Sequence, residues 1–205
     1  MDNASIEQSL ARLDAEISER FSEMTALLKS WAGAPVADYE LLGPGGAPVR
    51  LSELFGTKDD LIVVHNMGAS CAYCTTWADG FNGVVKHLED RAAFVVISPD
   101  PPERQAEFAA SRGWRFRMVS CAGTTFAADM GYAQEKDGKT WYMPGYSTFR
   151  RDPDGSIRRI GRDFFGPGDR YLSIFHMFEM LEGGTGDWYA RHSYEKAEQG
   201  TNPPG

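Results

Sequence analysis

A pair of cysteines spaced Cys-x-x-Cys, directly after a buried strand and at the start of a helix, constrains this chain most. The stretch Leu61 to Met67 is nearly all apolar, as in a strand covered on both faces. After the second cysteine, apolar residues recur at spacings near four and three, which predicts an amphipathic helix of about four turns; they are Trp77, Phe81, Val84, Val85 and Leu88. Cys71 and Cys74 therefore lie in the first turn of a helix that follows a central strand.

This position favours redox chemistry, because the free N–H groups and the dipole at a helix N-terminus stabilise a thiolate. Lowering the pKa of a thiol from about 8.5 to about 7 takes roughly 2 kcal/mol and ionises about half of it at neutral pH. We expect Cys71 to be the attacking sulfur and Cys74, three residues on, to be the resolving one. The alternative is two ordinary buried cysteines.

The composition excludes several classes of function. A net charge of -8 over 205 residues disfavours nucleic acid and an anionic membrane as partners. No apolar run reaches the roughly 20 residues of a spanning helix, and the first 30 residues lack a basic start followed by an apolar block. We therefore expect a cytoplasmic protein. Its three cysteines, an odd number, do not suggest a disulfide framework.

Residues 5–29 predict one long amphipathic helix of about seven turns. Its apolar residues repeat at spacings of four and three; they are Ile6, Leu10, Leu13, Ile17, Phe21, Met24 and Leu28. The helix either packs across the body of the protein or pairs with another chain, and we expect a homodimer in which it contributes buried surface. We treat residues 1–34 as a helical extension of the domain.

The rest of the chain predicts an α/β domain. Residues 36–42 and 49–51 are expected to form a hairpin, and residues 61–67, 93–98 and 116–120 to form strands joined by helices, with a last helix at 171–181. Residues 134–140 are expected to be a polar loop, and Asp100 to cap the second helix of the crossover. Residues 147–151 and 156–162 flank a strong turn signal and predict a hairpin at a sheet edge. Five arginines make it basic, which indicates a solvated edge more than an anion site; they are Arg150, Arg151, Arg158, Arg159 and Arg162.

This order of elements resembles a thioredoxin fold of the peroxiredoxin-like branch, with residues 38–54 similar to its entry segment and residues 149–157 to its hairpin. The blocks 71–83, 112–114 and 188–194 resemble more closely one bacterial thioredoxin-like family of unknown function. The resemblance implies a central mixed sheet flanked by helices, with a long N-terminal helix and an added N-terminal hairpin. It also implies a redox role, but no substrate comes with it. We expect a domain at residues 35–195, no cofactor and a disordered tail at 196–205.

Two departures from these relatives matter. Thioredoxins place a cis-proline beside the cysteine pair, and here Tyr146 stands in that place while Pro144 comes two residues too early. Peroxiredoxins carry Pro-x-x-x-Thr-x-x-Cys, and here Met67 replaces the proline and Cys71 the threonine before Cys74.

Four further residues are candidate neighbours of the site: His65, Trp77, Cys121 and Tyr146. His65 in a buried strand is more typical of a satisfied core histidine, and Trp77 and Tyr146 are candidates for covering the site. Cys121 follows the third strand, so it could approach the pair at the sheet edge. Together with His65, the three cysteines could offer four metal ligands, but a lone Cys-x-x-Cys supports zinc only weakly, and we predict no metal.

Three functions remain open. The first is thiol–disulfide exchange on a disulfide-containing small molecule or protein, in which Cys71 attacks and Cys74 resolves the mixed disulfide. The second is reduction of peroxides with Cys74 as the attacked thiol. The third is a binding module that has kept the fold and uses the long helix as its contact surface.

Overall fold

A computed structural model of the protein describes residues 2–194, which form a mixed sheet flanked by helices. The tail expected at residues 196–205 and the last residue of the expected domain lie outside the described residues. The helices are α1 (Asn3–Ser30), α2 (Ala72–Arg91), α3 (Pro102–Arg112), α4 (Phe126–Asp129) and α5 (Ser173–Glu179). The strands are β1 (Ala34–Val36), β2 (Glu40–Leu42), β3 (Pro48–Arg50), β4 (Asp60–His65), β5 (Ala93–Ser98), β6 (Arg117–Ser120), β7 (Ala133–Lys136), β8 (Lys139–Tyr142), β9 (Gly145–Arg151) and β10 (Ile157–Phe164).

The main sheet has eight strands in the order β1-β10-β9-β4-β5-β6-β2-β3. The crossover strands β4, β5 and β6 run parallel, as expected, and the other neighbours pair antiparallel. Both faces of β4 are covered, because Val63 packs in one core with Phe126 and Phe149 while Val64 packs in the other with Trp77. The thioredoxin-like fold predicted from the sequence is therefore the observed one.

The predicted strand at 36–42 is wrong as a single element. Val36 belongs to β1, which pairs with β10, whereas β2 pairs with β3 at the opposite end of the sheet. The chain turns between them at Asp38, whose carboxylate accepts hydrogen bonds of 2.8 Å from the backbone N–H and the hydroxyl of Ser52. The predicted N-terminal hairpin is confirmed as β2 and β3, joined through a 3-10 turn at Pro44–Gly46.

The basic hairpin does not lie at a sheet edge. Strand β9 lies between β4 and β10, and β1 covers the outer side of β10. Strand β1 has three residues, which is too short to recognise from the sequence. The hairpin was therefore wrongly expected to form the edge of the sheet. Two arginines of the basic hairpin form salt bridges within the chain. Arg150 pairs with Asp59 and Asp60, and Arg158 pairs with Asp152. The polar loop expected at 134–140 is a second hairpin, formed by β7 and β8.

Helix α1 has the predicted extent, but none of its side chains is buried against the body. Its N-cap is Asp2, whose carboxylate accepts from the N–H of Ser5 at 2.8 Å. None of the helices in residues 2–194 is both long and apolar enough to cross a membrane.

Candidate active site

The two cysteines lie at the N-terminus of α2, where the sequence places them. Cys71 is the N-cap residue, and its Sγ accepts a hydrogen bond from the N–H of Cys74 at 3.0 Å. The two sulfurs are joined in a disulfide, with Cα atoms 5.2 Å apart. Cys71 is partly exposed, whereas Cys74 is only 3% exposed. The sulfur that a solute meets first is therefore that of Cys71.

The loop between β4 and α2 is held by two polar side chains. The Asn66 side chain accepts from the N–H of Gly68 at 2.8 Å, and the Asp100 carboxylate accepts from the N–H of Ala69 at 2.6 Å. Asp100 was expected to cap α3, but Pro101 is the N-cap of that helix and makes no side-chain cap bond. Asp100 was missed as a residue that positions the loop before the cysteines, because a cap and a loop anchor look alike in sequence.

We expect Gly68→Ala to slow the reaction of Cys71 with an alkylating reagent and to destabilise the fold by about 1–3 kcal/mol. Gly68 has φ +104°, and a Cβ there would lie 2.8 Å from Oδ2 of Asp100, so the loop before Cys71 must move. The matched control is Gly123→Ala, where φ is +74° but a Cβ would meet nothing within 4 Å. Rates of alkylation and urea midpoints of both variants measure the difference. If the two variants react equally fast, the contact with Asp100 does not position Cys71.

His65 lies in the core on the face of the sheet opposite α2. Its ring stacks on that of Tyr132, with centroids 3.8 Å apart, and its Nε2 lies 3.1 Å from Oγ of Ser147. Burial, with a smaller effect of nearby Arg159, lowers the pKa of His65 to about 3. His65 is therefore a neutral histidine with a hydrogen-bond partner, as the core interpretation predicts.

Cys121 is buried in the same core as Phe126 and Tyr132. Burial raises the pKa of its thiol to about 11, so it stays protonated at neutral pH. Within residues 2–194, no three histidine, cysteine or acidic side chains gather as a metal site would require. The four-ligand set of His65 and the three cysteines is not assembled.

Trp77 and Tyr146 belong to a cluster of aromatic rings on the α2 side of the sheet, which also contains Phe165 and Tyr171 and is called the aromatic wall below. Both rings stack on Phe165, with centroid distances of 5.9 Å for Trp77 and 6.0 Å for Tyr146. The Nε1 of Trp77 donates to Asp169 at 2.9 Å, and the hydroxyl of Tyr146 lies 3.2 Å from that of Tyr171. Trp77 and Tyr146 were predicted from the sequence, but the residues that join them, Phe165, Asp169 and Tyr171, were not. A signal was present at 166–169, where Gly-Pro-Gly-Asp forms a turn and the Asp169 carboxylate accepts from the N–H of residue 166 at 2.9 Å.

The motif blocks around residues 79, 112 and 192 contact one another. The Asp79 carboxylate accepts from the guanidinium of Arg112 and, at 2.8 Å, from Nε1 of Trp114. Arg112 also donates to the carbonyl of His192 at 2.7 Å. These residues tie α2 to the end of α3 and to the C-terminal segment, so they hold the cysteine helix in place from outside the site.

The sequence and the fold resemble known proteins. Residues 32–194 match the family described as "Bacterial protein of unknown function (DUF899)". Putative peroxiredoxins from two strains of Mycobacterium tuberculosis are each 36% identical over 127 residues, which is 61% of this chain and 80% of each relative. The crystal structure of peroxidoxin BcpB from Mycobacterium tuberculosis is 34% identical, with a TM-score of 0.51 over 61% of this chain and 80% of that one. Reduced Prx3 from Vibrio vulnificus, in complex with H2O2, shares the fold at 12% identity, with a TM-score of 0.54 over 67% of this chain and 88% of that one.

Proposed function

Since the chain belongs to the bacterial family DUF899 and is related to putative peroxiredoxins, we propose that it is a thiol-based oxidoreductase that cycles Cys71 and Cys74 between dithiol and disulfide. One observation carries this proposal. Cys71 and Cys74 are joined in a disulfide at a helix N-terminus, and Cys71 is partly exposed while Cys74 is buried. This asymmetry suits an attacking and a resolving thiol.

The reaction we propose first is thiol–disulfide exchange. The Cys71 thiolate attacks one sulfur of the substrate disulfide, a mixed disulfide forms, and the other substrate sulfur leaves as a thiolate. The Cys74 thiol then loses its proton and attacks Cys71, which releases the second substrate thiolate and forms the Cys71–Cys74 disulfide. The substrate gains two electrons, and an external dithiol returns them to the enzyme.

The local geometry supports Cys71 as the attacking group. In the dithiol form, the N–H of Cys74 is placed to donate to Sγ of Cys71, as it does at 3.0 Å in the disulfide. That hydrogen bond and the positive end of the α2 dipole both stabilise the thiolate more than the thiol. Cys74 lies under the first turn, where burial favours the protonated form until Cys71 is within reach.

Peroxide reduction is the second candidate, and the similarity to putative peroxiredoxins favours it. The Cys74 thiolate would attack one peroxide oxygen, becoming a sulfenic acid and releasing the alcohol or water. Cys71 would then attack the sulfenic sulfur, and the same disulfide would form with loss of water. This route requires the peroxide to reach the sulfur of Cys74, a residue that is only 3% exposed.

Turnover on three oxidants tests the proposal. With a dithiol reductant, we expect the protein to reduce a small aromatic disulfide faster than hydrogen peroxide, and insulin most slowly. In the sequence, bulky Tyr146 stands where thioredoxins have the cis-proline that lines the groove for an extended peptide, so we expect a large disulfide to dock poorly. Faster consumption of peroxide than of the small disulfide would favour the second candidate. Turnover of none of the three would leave only the binding module.

A further inference from the structure

Helix α1 carries an apolar stripe that the body of the protein leaves about half exposed. Arg170 contacts it, with its guanidinium carbon 4.5 Å from the centroid of the Phe21 ring and a guanidinium nitrogen 3.9 Å from Sδ of Met24. The stripe consists of Ile6, Leu10, Leu13, Ile17, Phe21, Met24 and Leu28, each between 41% and 59% exposed. A helix of 28 residues with no buried side chain has little to stabilise it alone, since most helical stability in proteins comes from packing of an apolar face. A contiguous exposed stripe of this kind indicates an interaction surface.

The stripe is symmetric about Ile17. The other six residues lie 4, 7 and 11 positions before and after it. At about 100° per residue, all seven fall within about 40° of one line along the helix. An antiparallel pair of α1 helices with a twofold axis beside Ile17 therefore places an apolar residue opposite an apolar residue at every level. Leu10 of one copy then lies level with Met24 of the second, and Leu13 with Phe21.

The charges beside the stripe favour this antiparallel orientation. In the antiparallel pair, Arg20 lies on the same flank as Glu16 of the second copy and within about 3 Å of it along the helix axis. The twofold axis repeats this contact. In a parallel pair in register, Asp14 would instead lie about 3 Å along the axis from Glu16 of the other copy, and two carboxylates would repel each other.

The body of the protein offers a place for the second helix. A gap of about 720 Å³ separates the C-terminal part of α1 from β10, and it is lined by Met24 and Leu28 on one side and by Arg162, Arg170 and Tyr146 on the other. The helix segment that the antiparallel pair would bring here is residues 2–16, which carries four acidic residues and one arginine. The gap is also lined by Lys29 and by Asp163, which pairs with Arg170 at 3.7 Å, so three basic residues face one acidic residue there. The negative charge of residues 2–16 complements this net positive charge.

We propose that the apolar stripe binds α1 of a second copy of this chain, antiparallel and with the twofold axis beside Ile17. The apolar side chains of the N-terminal half of each α1, Ile6 and Leu10, enter the gap of the other copy. They thereby cover the outer side of the aromatic wall at Tyr146, which lines that gap. This inference does not depend on which oxidant the cysteines reduce.

The test is the mass of the full chain in solution, measured by light scattering over a concentration series. We expect a dimer for the wild type and for Ala15→Asp, which changes the opposite side of α1, and a monomer for Ile17→Asp, which places two carboxylates at the axis. Circular dichroism shows whether each variant is folded, and the rate at which a dithiol reduces the Cys71–Cys74 disulfide shows whether its cysteine pair is intact. A monomeric wild type, or an Ile17→Asp variant that remains dimeric, would overturn the proposal.

Crosslinking tests the orientation independently. In the oxidised protein, Cys71 and Cys74 are bonded and Cys121 is buried, so an introduced thiol reacts alone. A short bismaleimide should join Leu10→Cys chains to Met24→Cys chains in a mixture. It should not join Leu10→Cys chains to one another, because those positions lie about 21 Å apart along the axis in an antiparallel pair. Efficient crosslinking within the Leu10→Cys sample would contradict the antiparallel arrangement.

Discussion

Replacing Cys71 by serine is expected to abolish turnover, with a loss on the order of a thousandfold or more, because the attacking sulfur is gone. Cys74→Ser is also expected to lose turnover, but for a different reason. In the Cys74→Ser variant, Cys71 still attacks a disulfide, but the Cys74 sulfur that would displace the product from the mixed disulfide is missing. The Cys74→Ser protein should therefore accumulate a stable mixed disulfide at Cys71, which intact-mass and peptide mass measurements detect.

The matched control is Cys121→Ser, which removes the remaining cysteine without touching the pair. Since the Cys121 thiol is buried and its pKa is raised to about 11, turnover should change little. A mixed disulfide that forms through Cys74 in the Cys71→Ser protein would reverse the proposed roles. Sulfenic acid at Cys74 after peroxide treatment of that same variant would support peroxide reduction instead.

The second large effect is a loss of stability in acid caused by His65. In the unfolded chain this histidine binds a proton below about pH 6.5, whereas in the folded protein its pKa is about 3. Between these values the unfolded state holds more protons, so the free energy of unfolding falls as the pH falls. The expected contribution is at most about 1.4 kcal/mol for each pH unit, or about 2.5 kcal/mol between pH 6 and pH 4.

Urea unfolding of the wild type and of His65→Gln across this pH range measures the effect. Carboxylates titrate in both proteins, so the difference between the two slopes isolates His65. The control is His87→Gln, which makes the same substitution at an exposed position on α2. Parallel curves for the wild type and His65→Gln would show that His65 takes up its proton in the folded protein.

Much of the fold could be predicted because its central elements have strong local patterns. The apolar run of β4, the helical period of α2 and the strand at 93–98 each bury residues in a way that the sequence displays directly. The position of the cysteines follows from these same elements, because Cys71 and Cys74 come directly after the predicted strand and at the start of the helical pattern.

What the sequence could not predict depends on distant partners. Strand β1 has three residues and exists because β10 supplies its hydrogen-bond partners. The role of Asp100 depends on its contact with Ala69, which is 31 positions away in the chain. The stacking of Trp77 and Tyr146 on Phe165 likewise joins three separate segments. Such contacts have no local signature, so the cysteines were identified but the side chains that position them were not.

The central claim is that Cys71 is the activated thiol, and mass-mapped alkylation of the fully reduced wild-type protein across pH tests it most directly. We predict rapid labelling of Cys71 below pH 7, with slow labelling of Cys74 at the same pH. Equal and slow labelling of both cysteines, with apparent pKa values near about 8.5 or above, would contradict the claim and leave the binding module as the better account of this protein.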